Sequence, residues 1–424
     1  MRLRLGARRG GARLQTFRSF RNRDYRLLWA GSAFSNMAQM LQLITLGWLV
    51  WELTKDPETG QGSALLSGTA AGLRAVPTLI IGPWAGVLAD RVDRRMLVMV
   101  PHIFLAVLAV FFALLVASGN VQVWHVFVYA SISAVANAVF HPASTSLVAN
   151  TVPPEDLSNA IALRTMNITA NRLIGSMLGG LLISTVGIKS GLNFFVESGA
   201  YVGMVLLLIP MKTPYQVMST AQHSSVVSNL GQGIRYIWKD NRIILHLMVS
   251  TLVLSLLFQP LPVLLPAYTS QVLHSEADVG GFLLAAMGVG GFTATFIIAS
   301  FGFGFKKGTV SLVSLVMGCM AVLILAQSHW VILSLAMMAV MGLFRTFFMV
   351  SNNTLVQTIT HDTLRGRVSS LYHLENGITP AAIFLISLFM ELFTVSGALT
   401  VGASAGLGLS LYFLFAFRQV RQLE

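Results

Sequence analysis

Between Gly86 and Leu97 the chain reads G-V-L-A-D-R-V-D-R-R-M-L, and on each side lies an apolar stretch long enough to cross a bilayer. Two acids and three arginines occupy the positions from Asp90 to Arg95, although only 10% of the chain is charged. Each such charge costs a few kcal/mol or more inside hydrocarbon. The segment is therefore expected to be a tight hairpin at a membrane surface, joining two spanning helices. Composition extends the constraint to the whole chain: 55% of residues are hydrophobic and mean hydropathy is +0.72. The expected class is an all-α polytopic membrane protein. Regular alternation of polar and apolar residues is too rare for an outer-membrane barrel.

Apolar runs predict twelve transmembrane helices, at 27–51, 64–89, 96–117, 122–148, 160–184, 191–211, 243–268, 279–301, 309–327, 330–357, 368–392 and 396–417. Each is long enough to span a bilayer at about 1.5 Å per residue. Basic residues gather in the loops of one side: the N-terminal segment, the hairpin, the central loop, Lys306–Lys307, Arg365, Arg367, Arg418 and Arg421. The opposite loops hold only Lys55 and Lys189 among several acids. The positive-inside rule then places both termini in the cytoplasm, for a protein of the cytoplasmic (inner) membrane. The formal charge of +12 is explained by these loops, so no nucleic-acid partner is expected. The arginine-rich start resembles a signal-peptide n-region, but the apolar stretch after it is too long, and a retained tail is expected.

The resulting organisation is a basic cytoplasmic tail (1–26), a six-helix half (27–211), a linker (212–242), a second six-helix half (243–417) and a short tail (418–424). In the linker, apolar residues three or four apart between Val226 and Lys239 predict an amphipathic surface helix. The halves repeat weakly. The loop at Gly302–Val313 keeps the glycines and basic pair of the first hairpin without its acids, and the segment after span four parallels the one after span ten.

Five stretches carry a resemblance: F-R-N-R-D-Y-R-L-L-W-A-G (20–31), W-L-V-W-E-L-T (48–54), G-V-L-A-D-R-V-D-R-R (86–95), N-L-G-Q-G-I-R-Y-I-W (229–238) and L-R-G-R-V-S-S-L (364–371). In order and content they resemble the major facilitator superfamily, in the branch holding the enterobactin exporter and the macrolide and multidrug efflux permeases. The resemblance implies a rocking transporter with its site between two halves. The hairpin departs from the family pattern at Asp93, where glycine is usual. The helix-five antiporter run G-P-x-x-G-G is altered here to Gly175-Ser176-Met177-Leu178-Gly179-Gly180, with serine in place of proline. That change puts an antiport kink in doubt, and ordinary small-residue packing is the competing reading.

Intramembrane ionisable residues are functional candidates. Glu375 and Arg345 are expected at similar depth on cavity-lining spans, with Glu375 the leading protonatable carboxylate. Glu197 and Arg74 form a second candidate pair, with a structural role as the alternative. Substrate-cavity candidates are Asn36, Gln39 and Gln42 on span one, Asn137 and His141 on span four, Asn167 and Asn171 on span five, Gln259 on span seven and Asn352 on span ten. Interhelical hydrogen bonding is the alternative for each. The hairpin suggests a conformational latch of Gly86, Asp90, Arg91, Arg94 and Arg95. Asp90 would meet the start of span eleven near Arg365 and Arg367, and the arginines would meet Glu155 or Asp156.

No phosphate-binding loop, metal-ligand spacing or catalytic constellation occurs, so no enzyme, cofactor or metal is expected. The lone Cys319 reads as a packing residue. The function expected is secondary active export of a small hydrophobic or amphipathic molecule, driven by a proton gradient in a monomer within membrane lipid. Alternatives are a siderophore exporter, a lipid flippase, and a non-transporting membrane sensor or scaffold.

Overall fold

The computed structural model describes residues 17–58, 61–74, 76–78, 80–81, 84, 92–212, 235–275, 277–301, 306–360, 368 and 375–423. Among them every regular element is helical. In chain order the long helices are α1 (Arg23–Leu53), α2 (Ala64–Leu73), α3 (Arg94–Ala117), α4 (Val123–Thr151), α5 (Leu157–Val186) and α6 (Leu192–Leu208). The second half has α7, running from Arg242 to Gln271 with a π-turn at Leu254–Phe258, then α8 (Ala277–Phe301) and α9 (Lys307–Gln327). It ends with α10 (Val331–Ile359), α11 (Glu375–Leu392) and α12 (Val395–Ala416). Each expected span meets one of these helices. The described parts of α2 and α11 are shorter than their expected spans. Helix α1 begins at Arg23, four residues before the expected span. The linker's expected amphipathic helix lies largely outside the described residues, which resume at Arg235.

The solvent of this protein is legible on α3. Val100, Phe104, Val107, Phe111 and Leu114 are exposed along one stripe, while Val98, Leu105, Ala109, Phe112 and Val116 are buried along the opposite one. Both faces are apolar, which suits a helix between protein and hydrocarbon rather than water. Seven of the described helices or helical segments are long and apolar enough to cross a membrane. The molecule is thus an integral, multi-pass membrane protein.

Successive helices alternate in direction, so the bundle has a basic end, where α1 begins, and a far end, where it finishes. Near the basic end, Tyr25 and Trp29 donate to the carbonyls of Ala160 (2.8 Å) and Leu163 (2.9 Å), and Arg18 pairs with Asp156 at 2.6 Å. These contacts tie the start of α1 to the start of α5. Deeper in, Gly175 of α5 lies so close to Met37 and Met40 of α1 that an added side chain would clash, and Gly179 packs on Leu41 and Ile44 with little room to spare. The altered helix-five run therefore sits on the α1 packing surface.

In α7, Pro260, Pro262 and Pro266 remove backbone donors. The π-turn precedes them and the helix resumes at Leu261. Such a turn re-aims side chains and recurs at functional positions. The residue that follows it is Gln259.

The halves meet along α5–α8, α2–α11, α1–α7 and α2–α7. Gly68 of α2 packs directly on Ser387 of α11. The described hydrogen bonds between the halves all lie at the far end. Ser63 Oγ and Leu65 N donate to the Glu391 carboxylate at 3.3–3.4 Å, and Gln271 Nε2 donates to Gln61 Oε1 at 3.3 Å.

Candidate functional site

The first half encloses a polar cluster between α1, α2, α4 and α6. Glu197 is fully buried, and its Oε1 accepts from Gln42 Nε2 (2.8 Å) and Tyr129 Oη (2.9 Å). The Tyr201 hydroxyl lies beside this carboxylate outside good hydrogen-bond geometry, so Oε2 has no formed hydrogen bond among the described residues, and neither has Gln42 Oε1. Tyr129 is held by stacking on Phe112 with ring centroids 4.2 Å apart. Arg74, at the described end of α2, faces the same group, with Glu197, Tyr201 and Tyr129 as its titratable neighbours. The residues named from the sequence as a second pair thus lie in one cluster, while no ion pair between them is formed.

A second chain of bonds lies beside the first. His102 Nδ1 is 2.7 Å from the Val98 carbonyl, which can only accept. The proton therefore sits on Nδ1, leaving Nε2 to accept from Ser35 Oγ at 2.8 Å. Gln39 Nε2 donates in turn to Ser35 Oγ at 3.3 Å. Asn36 and Asn171 both donate to Asn167 Oδ1, at 3.1 and 3.0 Å, and Asn167 donates to the Trp29 carbonyl at 2.7 Å. The polar stripes of α1 and α5 are in this way joined through Asn36 and Asn167.

On α4, Asn137 Nδ2 is bonded to the Ser133 carbonyl within its own helix. Ala130, Ala134 and Asn137 are buried along one stripe, but the next members of that stripe, His141 and Thr145, are exposed. The lipid-facing stripe of α4, with Trp124, Val128 and Val135, lies on another side. The inner stripe is therefore closed toward the far end and accessible from His141 onward. Arg164 of α5 reaches into this region and donates to Thr145 Oγ1 at 2.7 Å.

In the second half, Arg345 is buried on α10 and its Nη2 donates to Gln259 Oε1 at 3.0 Å, beside the π-turn. Asn352 is fully buried and donates to the Leu247 carbonyl and to Ser250 Oγ, both at 3.1 Å, joining α10 to α7. Glu375 opens the described part of α11. Of the expected latch, Gly86, Asp90, Arg91, Arg365 and Arg367 lie outside the described residues. Arg94 donates to Asn150 Oδ1 at 3.0 Å and Arg95 to the Ile209 carbonyl at 2.5 Å, while Asp156 is engaged by Arg18. Asp93 acts locally, because its Oδ1 accepts from Arg95 N at 2.8 Å and caps α3.

Sequence reasoning did not single out Tyr129, Tyr201, His102 or the Ser63–Glu391 contact. A hydroxyl in mid-span was the available signal for the tyrosines.

Over residues 14–424 the chain matches the family of transmembrane secretion effectors. It is 21% identical over 364 residues to a staphyloferrin A transporter of Staphylococcus aureus, covering 85% of this chain and 89% of that one. It is 26% identical over 345 residues to the multidrug efflux pump Tap of Mycobacterium tuberculosis, covering 77% of each. A bacterial homolog of the human lysosomal transporter Spinster, solved in an inward-facing and unoccupied conformation, superposes with a TM-score of 0.70 at 13% identity, covering 97% of both chains.

Proposed function

Because the chain belongs to the transmembrane secretion effectors of the major facilitator superfamily, and so is a multi-pass membrane transporter, we propose that it exports a small hydrophobic or amphipathic organic molecule across the cytoplasmic membrane by alternating access, drawing on a proton gradient. The basic end faces the cytoplasm in this reading, as the positive-inside rule requires. A far end bonded between halves, together with an accessible His141 stripe, supports an inward-facing arrangement. The efflux pump among the relatives supports export.

The observation that carries the coupling is Glu197. It is a carboxylate with no access to solvent, one oxygen held by Gln42 and Tyr129 and the other without a formed hydrogen bond among the described residues. A proton on that second oxygen would neutralise the carboxylate facing Arg74 and change what holds α2 to α6. Coupling follows only if the two facing states differ in their affinity for that proton. Glu375, with Arg345 on the neighbouring cavity helix, is the second carboxylate in this scheme.

The test is a substrate panel in proteoliposomes with an imposed pH gradient. Glu197→Gln should retain substrate exchange and lose uphill accumulation, with Glu375→Gln measured beside it. Undiminished uphill transport by Glu197→Gln at every pH removes Glu197 from the mechanism. A second reading, transport of a siderophore, is favoured by the match to the staphyloferrin A transporter along most of the chain. Iron-chelator synthesis genes beside this one, and chelator accumulation in the same vesicles, would support it.

A further inference from the structure

The spans hold more cations than anions. Arg74, Arg164, Arg172 and Arg345 fall within them, against Glu197, Glu375 and, at the far end of α11, Glu391. Glu197 is buried and engaged by Gln42 and Tyr129. The described bond of Arg164 is to a neutral hydroxyl, that of Thr145. Among the described residues no carboxylate forms an ion pair with Arg74 or Arg164.

These basic groups converge. His141 has Arg164, His102 and Arg74 as its charged and titratable neighbours. Three helices, α2, α4 and α5, thus bring Arg74, His141 and Arg164 to one region. That region begins where the α4 stripe changes from buried to exposed. Arg74 also faces Glu197, so the region carries an excess of positive charge rather than one sign alone, and an excess within low-dielectric walls concentrates anions. A guanidinium also fits a carboxylate with two parallel bonds, which a neutral hydroxyl cannot offer.

We propose that Arg74, His141 and Arg164 form an anion-binding subsite on the cavity wall of the first half, taking the carboxylate of an amphipathic organic substrate. The assignment rests on the transport reading above and names the substrate class of that site. It separates this chain from a carrier of lipophilic cations, which the same groups would repel.

The experiment uses the purified full chain in detergent, without a gradient, and two fluorescent probes of similar aromatic body: carboxyfluorescein, an anion, and rhodamine 6G, a cation. Polarisation titrations should show carboxyfluorescein binding at least about tenfold tighter, a difference of ~1.4 kcal/mol. Citrate should displace it. Arg164→Gln and Arg74→Gln should each weaken it about tenfold, while Arg164→Lys, which keeps the charge but loses the two parallel bonds, should recover only part of the affinity. Variants are compared only where their size-exclusion profile and melting temperature match wild type.

Equal or tighter binding of rhodamine 6G, binding of neither probe, or carboxyfluorescein affinity unchanged in Arg164→Gln would overturn the assignment. So would displacement by short-chain phosphatidylglycerol alone, which would make the site a lipid headgroup site. Anion binding in a protein that moves nothing in vesicles would refute transport and leave the subsite. Gradient-driven movement of a cation, undiminished in Arg164→Gln, would do the reverse.

Discussion

Glu391 is the acid that holds the far end of the two halves together, and its substitution should open that end by a calculable amount. Its carboxylate accepts from Ser63 Oγ and from Leu65 N at 3.3–3.4 Å, across the seam between α11 and the first turn of α2. These bonds are long and exposed, so each is weak. A carboxylate at a helix N-terminus adds about 0.3–1 kcal/mol. Together the contact is worth ~1 kcal/mol, about fivefold in the closed-to-open ratio. Glu391→Gln removes the charge. Glu391→Lys puts a cation against the same N–H groups, so the swing from wild type is ~2 kcal/mol, about thirtyfold. If wild type is about 99:1 closed, Glu391→Gln gives about 95% closed and Glu391→Lys about 77%. The lysine variant is therefore the decisive one. Spin labels on Asn120→Cys and His329→Cys, exposed far-end loop positions of opposite halves, report the separation by pulsed EPR. Cys319 is buried and does not compete for label. We expect the long-distance population to rise in the order wild type, Glu391→Gln, Glu391→Lys. Identical distributions in wild type and Glu391→Lys would refute the latch.

Two further substitutions test how the basic end is built. Asp93 caps α3 where the family carries glycine. Asp93→Ala should cost about 1 kcal/mol and Asp93→Gly only a few tenths, because glycine is itself tolerated at that position. Melting temperatures that rank the two the other way would discard the capping role. Tyr25→Phe and Trp29→Phe each remove one bond to a carbonyl that already accepts within α5, so no orphan is left behind. Each should cost about 0.6 kcal/mol and the two should nearly add. A loss of several kcal/mol in either would mean that packing, not the hydrogen bond, holds α1 to α5.

What the sequence revealed and what it hid divide along a physical line. Span positions follow from hydropathy, a property of the local chain, and the helices begin and end within a few residues of expectation outside α2 and α11. The grouping of Arg74 with Glu197 was legible for a related reason: two charges at equal depth in a span must seek each other or water. The rest of the cluster was not, because a tyrosine hydroxyl in a span gives no such imbalance. Tyr129 could be assigned only once α4 was known to face α6. Polar stripes were legible as stripes but not as partners. Asn36 and Asn167 join α1 to α5, Asn171 bonds to Asn167 within α5, and Asn352 joins α10 to α7, the interhelical alternative to cavity contact that the stripes left open. A hydrogen bond worth about 0.6 kcal/mol leaves no mark in a sequence that distinguishes it from a substrate contact.

The opening hairpin shows the same division at one residue. Its charge density predicts a membrane surface, whereas the departure at Asp93 reads as a loss until Arg95 N is seen to donate to it. Glycine at that position would leave the chain free to turn. Aspartate fixes the start of α3 instead, and with it the point at which Arg94 and Arg95 leave the helix toward Asn150 and Ile209. The variant residue therefore anchors the hairpin to its own half.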